Sequence, residues 1–307
     1  MHRDSTTPRG ATRVIPSTGR RRRRRLSSAC LQALRTIRTD GGTHMRSTTT
    51  HHHRHAHLRR WGLAAALVAG IAAGPVLAPP AEAAIGGSFT DNLDGFDTAR
   101  WYKPDGYSNG GMFNAGWRAD HVWHSGGVMG INLDTTSCPG GCSGKPYASG
   151  EYRSTDLYSY GRYEVRMKAA SGGSGTVSSF FTYTGPSDGQ PWDEIDVEIL
   201  GKNTRQVQLN YFTNGVGGHE TLIDLGFDAA AGYHNYAIEW WNGGTINWFV
   251  DGNLVHQENG SRGALPTHPQ RIMMNLWPGT GVDGWLGPFS YSGQRTATYD
   301  WVKYTKY

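Results

Sequence analysis

The stretch Trp192-Asp193-Glu194-Ile195-Asp196-Val197-Glu198-Ile199-Leu200 alternates acidic and apolar side chains with a period of two. That period belongs to a β-strand, in which successive side chains point to opposite faces. Ile195, Val197 and Ile199 therefore share one face, which belongs in a core. Glu194, Asp196 and Glu198 share the other. Like charges two residues apart on one sheet face repel and add nothing to stability. Such a strand is either a solvated edge that uses acids against aggregation or a functional site. The flanks decide: Trp192 precedes the trio, and Tyr183, Asn210 and Trp277 fall in neighbouring strand-like runs. Acids among aromatic rings suit a sugar, whose faces stack on rings and whose hydroxyls need polar partners.

The same period extends through residues 85–307. Gly161–Ala170, Val177–Tyr183, Glu194–Leu200 and Gln206–Phe212 are predicted strands, since they alternate or run apolar over strand lengths. Tyr233–Trp241 and Thr245–Val250 are joined by Asn242-Gly243-Gly244, a hairpin signal, and Asp251-Gly252 turns the chain again. Arg271–Trp277 and Ala297–Tyr307 complete the predicted series. No segment has helical periodicity, and 43 glycines suit tight turns and penalise helices. The expectation is one all-β domain, a sandwich or barrel. Trp101, Trp117, Trp240, Trp248 and Trp301 are expected in the core or in sheet packing, and His219 and His234 in structural roles.

Composition divides the chain at residue 84. The first 84 residues hold 15 of the 30 Lys+Arg and three of the 25 acids, Asp4, Asp40 and Glu82. Residues 85–307 are therefore acidic, and the pI of about 9.1 belongs to the leader. A nucleic-acid partner inferred from that pI is excluded for the folded domain. Of 35 Phe, Trp and Tyr only Trp61 precedes residue 85, so the leader cannot bury a core and the remainder can. Arg59-Arg60 precede an apolar run from Leu63 to Ala78, shorter than the roughly 20 residues that span a bilayer. Ala81-Glu82-Ala83 offers small residues where a signal peptidase reads them. Residues 1–84 are thus expected to be a leader whose signal peptide is cleaved near Ala83/Ala84, giving a secreted protein with no membrane segment. Met45 is the expected true start. The run Arg20–Arg25 would otherwise read as a nucleic-acid or membrane arm, and His51, His52, His53, His55 and His57 as a metal cluster; export removes the histidines.

Of three cysteines, Cys30 goes with the leader. Cys138 and Cys142 enclose Pro139-Gly140-Gly141, a tight turn that can close as a small disulfide in an exported protein. A zinc pair is the alternative, but it needs two further ligands and none is spaced for it.

Glycoside cleavage with retention of configuration needs two carboxyl groups about 5–5.5 Å apart, a nucleophile and an acid that later becomes a base. Strand residues four apart have Cα atoms roughly 13 Å apart. The two glutamates must lean toward each other over Asp196, and glutamate has the reach for it. Asp196 can then hydrogen-bond one of them and separate the two in pKa. The pattern alone does not say which glutamate takes which role.

Trp192 through Lys202 resembles the active-site strand of glycoside hydrolase family 16, and within it the bacterial lichenases, which cut mixed-linkage β-1,3-1,4-glucan. Residues 106–114, 177–186, 210–220, 273–277 and 299–302 resemble lichenase segments as well. The resemblance implies a β-jelly roll of two curved antiparallel sheets with the substrate cleft on the concave face. It implies Glu194 as nucleophile, Glu198 as acid/base and Asp196 as their helper. By matching segments, Tyr107, Asn109, Glu151, Arg153, Phe181, Tyr183, Trp192, Asn210, Phe212, Asn275 and Trp277 should line the glucan subsites. The chemistry needs no cofactor. A structural calcium is implied on the convex side, with Asp300 as its carboxylate ligand and carbonyls near Asn92 and Gly127 as partners, an oxygen set of the kind calcium requires. A monomer is expected.

Glu-x-Asp-x-Glu is also the regular form of this strand. The laminarinase type, an endo-β-1,3-glucanase, carries one more residue, Glu-x-Asp-x-x-Glu, which bulges it. Transglycosylases of the family use the same residues with another acceptor. A lectin on the same sandwich is the non-catalytic alternative, although a binder gains little from three crowded carboxylates. Two departures from the lichenase pattern stand out. The lichenase disulfide positions fall at Ala115 and Ser149, and a position usually tyrosine is Phe212.

Overall fold

The computed structural model describes residues 84–136 and 141–307. The leader segments (Cys30, Met45, the histidines and the signal segment) lie outside these residues. So does the Cys138–Cys142 pairing, because Cys138 and the side chain of Cys142 are not described. Among the described residues no helix is long and apolar enough to cross a membrane.

Two sheets, antiparallel but for one pair, face each other as a jelly-roll β-sandwich. One has seven strands in the order Thr221–Asp224, Gln206–Phe212, Asp193–Leu200, Thr176–Thr184, Arg271–Pro278, Glu151–Ser154 and Trp101–Tyr102. The other has ten, running from Asn253–Glu258 through Thr245–Val250, His234–Trp241, Gly161–Lys168 and Arg295–Lys306 to Val128–Asp134 and beyond. The parallel pair joins Ala115–Trp117 to Tyr147–Ser149. Helix is limited to Asp283–Leu286 and short 3-10 turns.

Alternation builds the core. Ile195, Val197 and Ile199 are at most 1% exposed and pack with Phe180, Leu209 and Met274 of the same sheet. Tyr163, Ile238, Trp240 and Trp248 meet them from the other. Burial of each such side chain contributes about 1.5–3 kcal/mol. Trp248 also crosses the sandwich, its indole N–H donating to the Asp196 carbonyl at 3.0 Å. The strand that carries the acids is thereby fixed from behind.

The Asp251-Gly252 turn has both residues at positive φ, 47° and 81°, as a two-residue hairpin of the primed type requires. Trp101, Trp117, Trp240 and Trp248 are buried as expected. Trp301 belongs to the sheet packing, half-buried on the outer face, where it lines a hollow with Arg162 and Phe249. A register shift between Tyr299 and Trp301 accounts for it, since a bulge re-aims the residues that follow. His219 stacks on Tyr211 at 3.8 Å and His234 on Phe227 at 3.4 Å, both structural contacts. Ala115 and Ser149 form no disulfide. The Ser149 hydroxyl stands within hydrogen-bond reach of the carbonyls of Asn132 and Leu276, shares its one proton between them, and ties the two sheets in its place.

Candidate active site

The strand Asp193–Leu200 pairs without interruption with Thr176–Thr184 over its whole length, and Glu194 through Glu198 pair with Phe212 through Gln208. No bulge intervenes. Glu194, Asp196 and Glu198 therefore stand in a row on the face away from the core. Across the sheet the register puts Phe212, Asn210 and Gln208 on one side of the row and Tyr183, Phe181 and Ser179 on the other. Asn275 and Trp277 follow on the next strand, then Glu151 and Arg153.

Each acid has a distinct set of partners. Glu194 accepts a hydrogen bond from the Trp192 indole at 2.5 Å and another from Asp196. Burial raises Glu194 to about 7 against these two bonds, which favour its ionised form. Asp196 is 4% exposed. Burial, then the charges of Glu194 and Glu198, hold it well above the ordinary carboxylate range, so it keeps a proton to donate. Glu198 accepts from the Gln208 amide at 2.8 Å. Burial, followed by the Glu194 charge, pushes Glu198 up to about 8. The result is three acids all held by burial above the ordinary carboxylate range. Glu194 is the one whose two hydrogen bonds oppose its burial, and Asp196 is the proton donor between the glutamates.

The platform around the row is aromatic and amide-rich. Phe212 stacks on Trp192 at 4.6 Å and 17°, which holds the indole that bonds Glu194. Phe113 and Trp277 lie 4.3 Å apart at the far end. Glu151 is buried, accepts from Asn275 Nδ2 at 3.2 Å, and is pushed up to about 7 by burial. Asn275 Oδ1 in turn accepts from Ser179. Arg153 lies over the Tyr102 ring at 4.8 Å. The Tyr107 hydroxyl, raised by burial, feels the charges of Arg153 and Glu151. Asn109 is exposed and accepts from the Trp117 indole at 2.9 Å, a structural bond at the rim. The amide oxygen of Asn210 is buried with no partner among the described residues.

Four further functional side chains are not among the residues expected from sequence. Gln208 shares a face with Asn210 and Phe212 by simple alternation, a signal that the sequence does carry. Its amide is oriented by Trp285, whose indole donates to Gln208 Oε1 at 2.9 Å. Nothing local relates Trp285 to that strand 77 residues away. Glu220 is exposed, yet its charge raises both Asp196 and Glu198. Asp193 is wholly buried and accepts from Asn214 N–H at 2.9 Å, Thr267 N–H at 2.9 Å and His268 Nδ1 at 2.8 Å.

A model of glycosyl hydrolases family 16 matches residues 109–303. The chain belongs to that family. It is 52% identical to a beta-glucanase of Bacillus subtilis (strain 168) over 227 residues, which are 74% of this chain and 89% of the relative. The Bacillus licheniformis beta-glucanase structure is 50% identical with a TM-score of 0.67, covering 72% of this chain and 99% of that one. A β-1,3-1,4-glucanase (lichenase) structure from a mouse hindgut metagenome is 46% identical with a TM-score of 0.68, covering 72% and 100%. As a family 16 enzyme the chain is a glycoside hydrolase of the licheninase type, and its substrate is a polysaccharide.

The calcium set lies elsewhere. Pairing of Tyr299 with Met129 and of Val302 with Asp91 brings Asp300 to the corner that holds Gly127 and Asn92. Asn92 lines a cavity of about 500 Å³ there, remote from the acidic row. Asp300 is ion-paired with Arg166. Among the described residues no three His, Cys, Asp or Glu side chains converge as a metal site. A cation held by the expected set would depend on main-chain oxygens and would share the Asp300 carboxylate with a guanidinium.

Proposed function

We propose that this family 16 chain is an exported, monomeric, retaining endo-glucanase that hydrolyses β-1,3-1,4-glucan by double displacement. Glu194 attacks the anomeric carbon as the glycosidic C–O bond breaks, and Glu198 gives its proton to the leaving oxygen. Water, deprotonated by Glu198, then attacks the same carbon, and the ester bond to Glu194 breaks. The carrying observation is the hydrogen bond from protonated Asp196 to Glu194, with Glu198 left to hold a proton. It supports Glu194 as the nucleophile and Asp196 as the group whose hydrogen bond favours its ionised form against burial. The unbulged register supports the lichenase over the laminarinase type. The aromatic platform and the unpartnered Asn210 amide oxygen support the subsite roles.

Reducing-sugar release by the purified protein on barley β-glucan, laminarin, carboxymethyl cellulose and xyloglucan tests this, with Glu194→Gln as control. Release from barley β-glucan alone, lost in the variant, is the expected outcome. Release from laminarin instead would make it an endo-1,3-glucanase, and binding without release a lectin. A structural calcium held by Asp300 with the carbonyls of Asn92 and Gly127 is part of the same proposal. The ion would supply stability and no chemistry, so chelation is expected to lower Tm and leave kcat unchanged below the transition.

A further inference from the structure

The outer face of the ten-stranded sheet carries two large exposed rings that the reaction does not use. Alternation in His234–Trp241 sends Tyr236, Ile238 and Trp240 inward and Glu239 and Trp241 outward. Trp241 is 44% exposed and Tyr307 46%. Their centroids lie 4.0 Å apart with the planes at 30°, so the two rings form one shelf. Neither ring is loose. The Tyr307 N–H donates to the Tyr160 carbonyl at 3.3 Å, and its hydroxyl is bonded to Glu239. Glu239 is held in turn by Arg162 Nη1 at 2.8 Å and by Asn247 Nδ2 at 3.4 Å.

Two adjoining rings on a surface are uncommon unless something covers them. This shelf is far smaller than the roughly 800 Å² per partner of a stable protein interface. Its chemistry matches a pyranose chain instead: C–H faces stack on the rings while hydroxyls reach the carboxylate and amide at the edge. We infer that Trp241 and Tyr307 form a second glucan-binding site, on the opposite side of the sandwich from the cleft, which holds the polymer that the cleft cuts. The inference rests on a β-glucan being the substrate. One polymer chain is longer than either site, so a hold at the shelf raises the local concentration of glycosidic bonds at the cleft.

Native gels cast with and without barley β-glucan measure the binding of the full chain directly. Glu194→Gln serves as background so that the polymer is not cut. Adding Trp241→Ala and Tyr307→Ala is expected to weaken retardation about tenfold, the scale of losing two ring contacts, while Trp241→Phe keeps most of it. With Glu194 restored, the double variant should cleave a short soluble gluco-oligosaccharide at the parent rate and the polymer more slowly. Unchanged retardation overturns the site. So does altered sedimentation with unchanged retardation, which would make the shelf a contact between copies of the chain. If the wild-type protein cuts laminarin rather than barley β-glucan, the gels are cast with laminarin, so the substrate reading and the second site fail separately.

Discussion

Glu198 sits between two influences of opposite sign, and each comes from a residue that takes no part in bond making. The Gln208 amide donates to its carboxylate at 2.8 Å and favours the ionised form. The charge of Glu220 opposes ionisation. On the mechanism proposed above, the alkaline limb of kcat/KM marks the loss of the Glu198 proton. Gln208→Leu removes the donor, which raises the Glu198 pKa further and moves that limb to higher pH. It should also lower kcat/KM about tenfold, the lower end for a hydrogen bond to a charged group. Glu220→Gln removes a negative charge, lowers the Glu198 pKa and moves the limb to lower pH. Because Glu220 is exposed, the second shift should shrink as salt is added and the first should not. Profiles of both variants on one substrate check this, and limbs that move together would show that Glu198 does not set them.

At the scale of elements, the strand Asp193–Leu200 also organises the loops around the cleft. Asp193 begins it on the core-facing side, with Ile195 and Val197, and is wholly buried. Its carboxylate takes the N–H groups of Asn214, Thr267 and His268. Asp193→Ala would leave three backbone donors and the His268 ring without their acceptor. The expected cost is about 3 kcal/mol, or a drop in Tm of about 6–12 °C, read by thermal unfolding; a drop under 2 °C would mean that the loops find other acceptors. Alternation makes this strand legible in the sequence, together with its neighbours Gln206–Phe212 and Thr176–Thr184, because each has one face in the core. It does not reveal Ala115–Trp117, Trp101–Tyr102 or Glu151–Ser154. Two to four residues are too few to show a period, and these elements are strands only because a longer neighbour pairs with them. Glu151 and Arg153 enter the candidate site through family likeness, not through pattern. Trp285 and Asp193 act through contacts across 77 and 75 residues, which no local signal carries.

For the molecule as a whole, the cleft works against the fold. The sandwich buries one face of the strand in its core and ties the Asp196 carbonyl to Trp248 of the opposite sheet. The acids therefore cannot move apart to relieve their repulsion. Glu194, Asp196, Glu198 and Glu151 all have folded-state pKa values raised by burial. A carboxyl raised in this way binds more protons folded than unfolded, so its ionisation lowers stability as pH rises. For Glu198 the window runs from its ordinary value of 4.5 to about 8. Glu198→Gln cannot ionise and still offers Gln208 an acceptor, so it should remove the penalty without breaking the bond. At pH 8 the variant is expected to be more stable than wild type by on the order of 4 kcal/mol, or about 8–16 °C in Tm. At pH 5 the wild-type acid is largely protonated in the folded state, and the difference should shrink toward zero. Thermal unfolding of the two proteins from pH 5 to pH 8 measures it. A Tm difference that stays flat across the range would mean that Glu198 ionises as freely folded as unfolded, and would remove it as the group that holds the catalytic proton.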